Sequence, residues 1–390
     1  MTGRRGASSR PLLGAFAGAA LAVAALAGCG EKIAIPQPEG LFSVSAWLED
    51  ATFDDPDARQ LTQSLGGLFV VTPTAVVKRD LEYNQVARAE GLTDATAVCV
   101  DQGDDLVFVW DQGAHELRWF AAVDLAPLGS APLPAVQSVR AVATDTAGIS
   151  QVLGAQLYVY LADPDSAVVH RYAFDEFAGP LARGILTRAA GLGTRSVHEA
   201  AGMAVDGGGR LLVCDTDTLR NWVIRFDGTP DLEDRTPAPN DQDPLRGSAV
   251  VFESTACLPA PPADYTLGDA AGCGEEDTWV GGPSADAGKF RAPAAVAVDG
   301  SGRIFVADTG NSRVQVFDGV GHYTLQFGNT GNCPLPSSLA LVDIRTGTGV
   351  DDVNHAAYVF ALTPGTAQVR RFISSEHYMY IHREPPPIRP

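Results

Sequence analysis

Five times along the sequence a short apolar run closes on an aspartate: AVCVD (97–101), AVATD (141–145), GMAVD (202–206), AVAVD (295–299) and LALVD (339–343). Each is followed by a Gly-containing turn or a longer loop and then by a second apolar run, LVFVWD, LYVYLAD, LLVCD, IFVAD or AYVFAL. A third run ends on an aromatic: LRWF, VHRYAF, VIRF, VQVF or VRRF. These runs are too short for helices and rich in Val, Ile and Phe, so each copy predicts antiparallel strands joined by hairpins. A single sheet of this kind leaves an apolar face bare, and stacking against further copies is what covers it.

A sixth, degraded copy lies upstream in GLFVVTPTAVVKRD (67–80), which keeps a second strand, a Thr-Pro turn and a third strand. The closing aromatics Trp119, Tyr172, Phe226, Phe317 and Phe372 are spaced by 53, 54, 91 and 55 residues. The long gap contains one convincing strand, SAVVFES (248–254), equivalent to YTLQFG (323–328) in the next copy. It is therefore expected as the fourth strand of the copy ending at Phe226, between insertions at 227–247 and 255–291. Four antiparallel strands repeated six times predict an all-β, six-bladed β-propeller over residues 41–382, followed by a Pro-rich tail at 383–390. LFSVSAWLE (41–49) and EHYMYIH (376–382) are the candidates for closing the ring.

The clearest copy, with Phe290, Pro293, VAVDGSGRIFVADTGNSRVQVF (296–317) and Gly328, closely resembles the NHL repeat. The resemblance is specific over 290–328, weaker over 199–226, and elsewhere keeps the strand pattern while losing the Asp-Thr-Gly-Asn turn. It implies an NHL-type propeller of six blades. Among proteins with these repeats, peptide-amidating lyases use His residues near the inner strands. This chain has none at matching positions; His198, beside Glu199, is the nearest.

Propeller sites usually sit at the mouth of the central channel. At the inner-strand positions four and two residues before the repeated Asp, the chain has Ala97, Ala141, Gly202, Ala295 and Leu339, then Cys99, Ala143, Ala204, Ala297 and Leu341. Apart from Cys99 none is a metal ligand. The expectation is a hub filled with small apolar groups, no catalytic residues, no metal and no cofactor, with selectivity left to the rim loops. His115, His170, His322, His355, His377 and His382 show no ligand spacing. Asp111, Asp163, Asp215 and Asp308 end the second strands, where a carboxylate accepts N–H bonds from residues just beyond it; a ring of Ca²⁺ ligands is the sharper alternative. Arg118, Arg171, Arg225 and Arg371 precede the aromatics and are expected outward, solvated or paired with carboxylates.

The N-terminus is separate. Arg4, Arg5 and Arg10 precede an uncharged apolar run, the pattern of a secretory signal. Its end, Leu26-Ala27-Gly28-Cys29, resembles the lipobox of bacterial lipoproteins, which implies a signal peptide over 1–28, acylation of Cys29 and a lipidated tether over 29–40. An ordinary cleaved signal and an uncleaved span are the alternatives. Gly30 after the Cys, by the same resemblance, points to the outer membrane.

The chain has 28 Lys and Arg against 47 Asp and Glu, a net charge of −19. Such acidity repels phosphate backbones and argues against a nucleic-acid partner. Cys99 and Cys214 fall in buried strand patterns, whereas Cys257, Cys273 and Cys333 fall in connections on one face. Export favours a disulfide, and Cys257–Cys273 is the preferred pair, with Cys333 as the alternative partner.

The 255–291 insertion carries Tyr265 and Trp279, residue types suited to recognition. With Asp308 and Asn311 on the same face, these are the binding-face candidates. The expectation is a lipid-anchored module of the bacterial cell envelope that binds a protein, peptide or glycan without catalysis. The alternatives are a propeller enzyme of the lyase or lactonase kind with a metal at the channel mouth, or a purely structural envelope component.

Overall fold

The computed structural model describes residues 46–145, 157–187, 199–227, 285–344 and 355–378, apart from a few short breaks. It is a six-bladed β-propeller. Blade 1 runs outward through β2 (Gln60–Ser64), β3 (Gly67–Thr72), β4 (Ala75–Asp80) and β5 (Gln85–Glu90). Blade 2 contains β6 (Ala95–Val100), β7 (Leu106–Asp111), β8 (Glu116–Ala121) and β9 (Pro127–Pro132). Blade 3 contains β10 (Ala141–Asp145), β11 (Leu157–Asp163), β12 (Val168–Asp175) and β13 (Gly179–Thr187). Blade 4 shows three strands among the described residues: β14 (Ala200–Val205), β15 (Arg210–Asp215) and β16 (Trp222–Asp227). Its expected fourth strand, SAVVFES, lies outside them. Blade 5 contains β17 (Pro293–Val298), β18 (Ile304–Asp308), β19 (Arg313–Phe317) and β20 (Tyr323–Phe327). Blade 6 contains β21 (Ser338–Ile344), β22 (His355–Thr363) and β23 (Gln368–Ser374), and takes β1 (Trp47–Asp54) as its outermost strand.

The burial pattern explains why the blades stack. The second strands GLFVVT, LVFVWD and IFVAD are buried at every position, so both of their faces need a neighbour. The outermost strands QVARAE and PLGSAP alternate, with one face in water. Each of the six apolar cores lies between two consecutive blades. Phe69, Val76, Val98, Val107 and Phe120 join blades 1 and 2, for example, and Leu68, Val70, Phe360, Leu362 and Ile373 join blades 6 and 1. The innermost strands β2, β6, β10, β14, β17 and β21 lie side by side in that order, and β21 returns to β2.

Ring closure differs from the sequence expectation. Among the described residues the closing strand is Trp47–Asp54, which shares 47–49 with the expected segment and runs on past it. Of the segment 376–382 the described residues His377 and Tyr378 are helical, not a strand. β1 pairs antiparallel with β23 from Trp47↔Ser374 to Asp54↔Gln368, with a bulge between Glu49 and Ala51. Trp47 fixes the register: its ring stacks on Phe327 at 5.4 Å and meets Phe305 edge-on at 5.5 Å, which ties blade 6 to blade 5. Arg370 pairs with Glu49 and Arg371 with Asp50 across the junction.

The up-and-down path gives the wheel two faces. The innermost strands start on one, here called upper, and end on the other, called lower. Register across blade 6 runs Val342↔Tyr358, Tyr358↔Ile373 and Trp47↔Ser374, so β1 starts on the lower face, where β21 ends.

Candidate functional site

On the upper face, the repeated carboxylates at the ends of the second strands are all fully buried in blades 2 to 5. They accept from the backbone leading into their own blade, and at Asp163 and Asp215 also from the residues just beyond them, as expected. Asp111 accepts the N–H groups of Thr93 and Asp94, Asp163 those of Gln137 and Ser138, Asp215 that of Glu199, and Asp308 that of Arg291. Local bonds supplement them, from Ser166 to Asp163 and from Asp217 to Asp215. The reason is geometric: the second strand ends beside the point where the chain enters the first, and the entering turn has N–H groups without ladder partners.

Burial alone would raise the Asp111 and Asp163 carboxyls. At Asp111 the bonds from Thr93 and Asp94, with Arg118 nearby, outweigh it and hold the group below its ordinary range. At Asp163 the bonds from His170, Gln137 and Ser166 do the same.

Asp308 and Asn311, two of the binding-face candidates, face each other. Asn311 Nδ2 donates to Asp308 Oδ2 at 2.9 Å, and the same oxygen takes Arg313 Nε at 2.7 Å and Gln315 Nε2 at 3.0 Å. Asp308 thus braces its own blade. Tyr265, Trp279, Cys257, Cys273, Cys29 and His198 lie outside the described residues. Cys333 is a correction to the alternative disulfide pairing: it is a free, fully buried thiol in the core between blades 5 and 6, packed against Gly328. Burial pushes its thiol up to about 12. Cys99 and Cys214 are also free and buried, as expected.

The arginines of the third strands are engaged, not solvated. Arg118 reaches Asp111 at 3.0 Å, Arg171 is buried over the Tyr158 ring, and Arg371 holds Asp50 and Glu82 while donating to Leu81 O. The Arg225 side chain lies outside the described residues.

The hub is the main correction. Its residues are small, as the repeat predicts, and at Gly202 an added Cβ would stand 2.5 Å from Ala294 O, so only glycine lets β14 and β17 approach there. Yet the hub is not filled. A cavity of about 680 Å³ runs between all six innermost strands, from Gln60 and Ser338 to Asp101 and Asp343. Six strands around one axis stand too far apart for alanine-sized groups to meet.

The wall is asymmetric. β14 and β17 present only apolar side chains, among them Met203, Val205 and Ala297, whereas β21, β2, β6 and β10 mix Gln60, Thr62, Gln63, Thr144, Ser338 and Asp343 with Leu61, Val98, Val142, Leu339 and Leu341, and Asp101 follows β6. The polar side comes largely from β2, whose sequence QLTQS carries one apolar residue and gives no strand signal.

Much of this polarity knits the ring. Gln60 Oε1 accepts Val98 N–H and its Nε2 donates to Arg140 O at 3.2 Å; Gln63 Oε1 accepts Leu341 N–H at 3.2 Å. Ser338 exchanges bonds with Leu61, and Thr144 donates to Val100 O. Asp101 takes the N–H groups of Gly103, Asp105 and Leu106. Among the described residues no three His, Cys, Asp or Glu side chains converge as a metal-binding group.

Residues 290–317 match the family profile of the NHL repeat. No curated protein matches the sequence. Among solved structures the chain is similar to a streptogramin B lyase, with 10% identity, a TM-score of 0.47, and 84% of this chain and 97% of that one covered. It is also similar to the β-propeller domain of Cps50 (Swd1) from Myceliophteria thermophila, with 9% identity, a TM-score of 0.48, and coverage of 82% and 98%.

Proposed function

We propose that this NHL-type propeller is an exported binding module, held to the bacterial outer membrane through a lipidated Cys29, whose ligand enters the central channel and leaves it chemically unchanged. The observation that carries the reading is the channel itself: about 680 Å³ of space lined mostly by apolar groups, with polar ones added from β2, β10, β21 and the residue after β6. That size suits a small molecule or the end of a peptide or glycan. The state of the polar groups favours binding over chemistry. Gln60, Thr144 and Ser338 are occupied in holding neighbouring strands, and Asp101 holds its own turn. Burial pushes the Cys99 thiol up, so that it stays protonated at neutral pH. The stretch 255–291, with Tyr265 and Trp279 and a Cys257–Cys273 bridge, is proposed as a second contact region.

The test is a thermal-shift screen on the purified protein against peptides, glycans and small metabolites, followed by mass analysis of each stabilising compound. A compound that raises the midpoint and is recovered intact supports the reading; recovery of a product overturns it in favour of an enzyme. For the anchor, labelled palmitate is expected in the wild type and not in Cys29→Ala.

A further inference from the structure

We propose that the channel selects an uncharged, mostly apolar molecule bearing a carbonyl group, whose oxygen is seated on Gln63 Nε2. This rests on the channel being the ligand seat. The first support is how little hydrogen-bonding capacity the lining leaves open. Gln60 uses both ends of its amide, on Val98 N–H and Arg140 O. Ser338 exchanges bonds with Leu61, Thr144 donates to Val100 O, and Asp101 takes three N–H groups of its own turn. Asp343 accepts from Gly300 through Oδ2, and its Oδ1 is buried out of reach. Among the described residues of the lining, the side-chain N and O groups left for a ligand are the Gln63 amide nitrogen and the Thr62 hydroxyl.

The second support is that the Gln63 amide is aimed. Its Oε1 accepts the Leu341 N–H at 3.2 Å. β21 is the innermost strand of blade 6 and pairs within its sheet only with β22, so this N–H lies on the strand edge that faces the channel. A backbone N–H can be met only by the oxygen of an amide, which leaves Nε2 with its two N–H groups as the free end. Nε2 has no partner among the described residues and is not among their buried polar atoms, so the channel reaches it. A donor already held in place costs less to engage than one that must first be ordered. The Thr62 hydroxyl, by contrast, turns about its own bond and fixes no direction.

The third support is the rest of the lining, mostly apolar through Val98, Val142, Met203, Val205, Leu339 and Leu341 and without Lys, Arg or His. An anion would lose its hydration there and find no counter-charge. A molecule rich in hydroxyls would give up more bonds to water than one amide returns. A carbonyl on a hydrocarbon frame, as in a ketone, an ester or an amide, asks for one donor and finds it.

The experiment is a fluorescence titration of the purified protein at pH 8 with three naphthalene dyes of one shape. They are 6-propionyl-2-(dimethylamino)naphthalene (ketone), its 6-propyl counterpart (no carbonyl) and 6-(dimethylamino)-2-naphthoate (anion). The quantity read is the affinity of the ketone relative to the propyl dye, in which the apolar burial common to both cancels. Gln63→Glu keeps an oxygen for the Leu341 N–H and removes the donor; Gln63→Met removes both and adds no charge. In each, the relative affinity should fall about two- to tenfold, the worth of one neutral hydrogen bond, while Thr62→Val leaves it unchanged. A ratio that stays the same in either Gln63 variant overturns the proposal and leaves the channel as the ligand seat. So does a fall in Thr62→Val, or an anion that binds more tightly than the ketone. Failure of all three dyes to bind overturns the channel as the seat, and the proposal with it.

Discussion

Asp308, fully buried, and Asp343, partly buried, are carboxylates whose removal should have opposite consequences for the fold. Asp308 closes a network with Arg313, Asn311, Gln315 and the Arg291 N–H, and Arg313 is itself buried. Removing it strands the guanidinium, so Asp308→Ala should cost about 3–5 kcal/mol, as for other buried pairs broken from one side. The exposed pair Arg59–Asp94 provides the contrast: Asp94→Ala should cost no more than about 1 kcal/mol. Urea unfolding of both variants checks the difference. Asp343 has no such network among the described residues. Its folded pKa of about 6 lies above the ordinary 3.8, so the fold favours the protonated form. The stability this group contributes is fully present below the ordinary value and is lost as pH rises through about 6. Asp343→Asn should therefore be more stable than the wild type at pH 8 and lose that advantage toward pH 4, as denaturation curves at the two pH values would reveal.

Among the elements, β2 had the least visible sequence and has the most consequence for the site. Second and third strands are legible because both of their faces are buried, which makes them read as unbroken apolar runs: LVFVWD and IFVAD are examples. Outer strands such as QVARAE carry only half of that signal. QLTQS carries almost none, because an innermost strand turns one edge to the channel and here fills it with amides. What Gln60 and Gln63 do, bonding to Val98 and Leu341 of the flanking blades, depends on partners 38 and 278 residues away, which no local pattern encodes. The open channel was hidden for the same reason: small residues at each inner strand are visible one copy at a time, whereas the gap between six of them exists only once the ring closes. Gln60→Ala and Gln63→Ala should each cost about 1–3 kcal/mol by leaving backbone groups unpaired. They point to opposite neighbours, so their costs should add within about 0.5 kcal/mol. Amide exchange at Val98 should quicken in the first variant and at Leu341 in the second.

For the whole molecule, closure rests on β1 and on Trp47, wedged against Phe305 and Phe327. Trp47→Ala should cost about 3–5 kcal/mol, and deletion of residues 46–54 should broaden thermal unfolding, since blade 6 alone would lose a strand. Calorimetry distinguishes the two: a shifted single transition for the substitution, a multistep one for the deletion. The clasp also imposes an order of events. Asp50 and Arg371, which pair across it, are 321 residues apart. A ribosome makes β1 before the other described strands and its partner β23 after them, so the growing chain carries an unmatched ribbon until blade 6 is made. Prematurely terminated chains lack the mate for that ribbon and remain open arcs with a bare edge, the kind of surface quality-control factors capture. The wheel thus checks its own completeness, because only a chain translated through its last blade can lock.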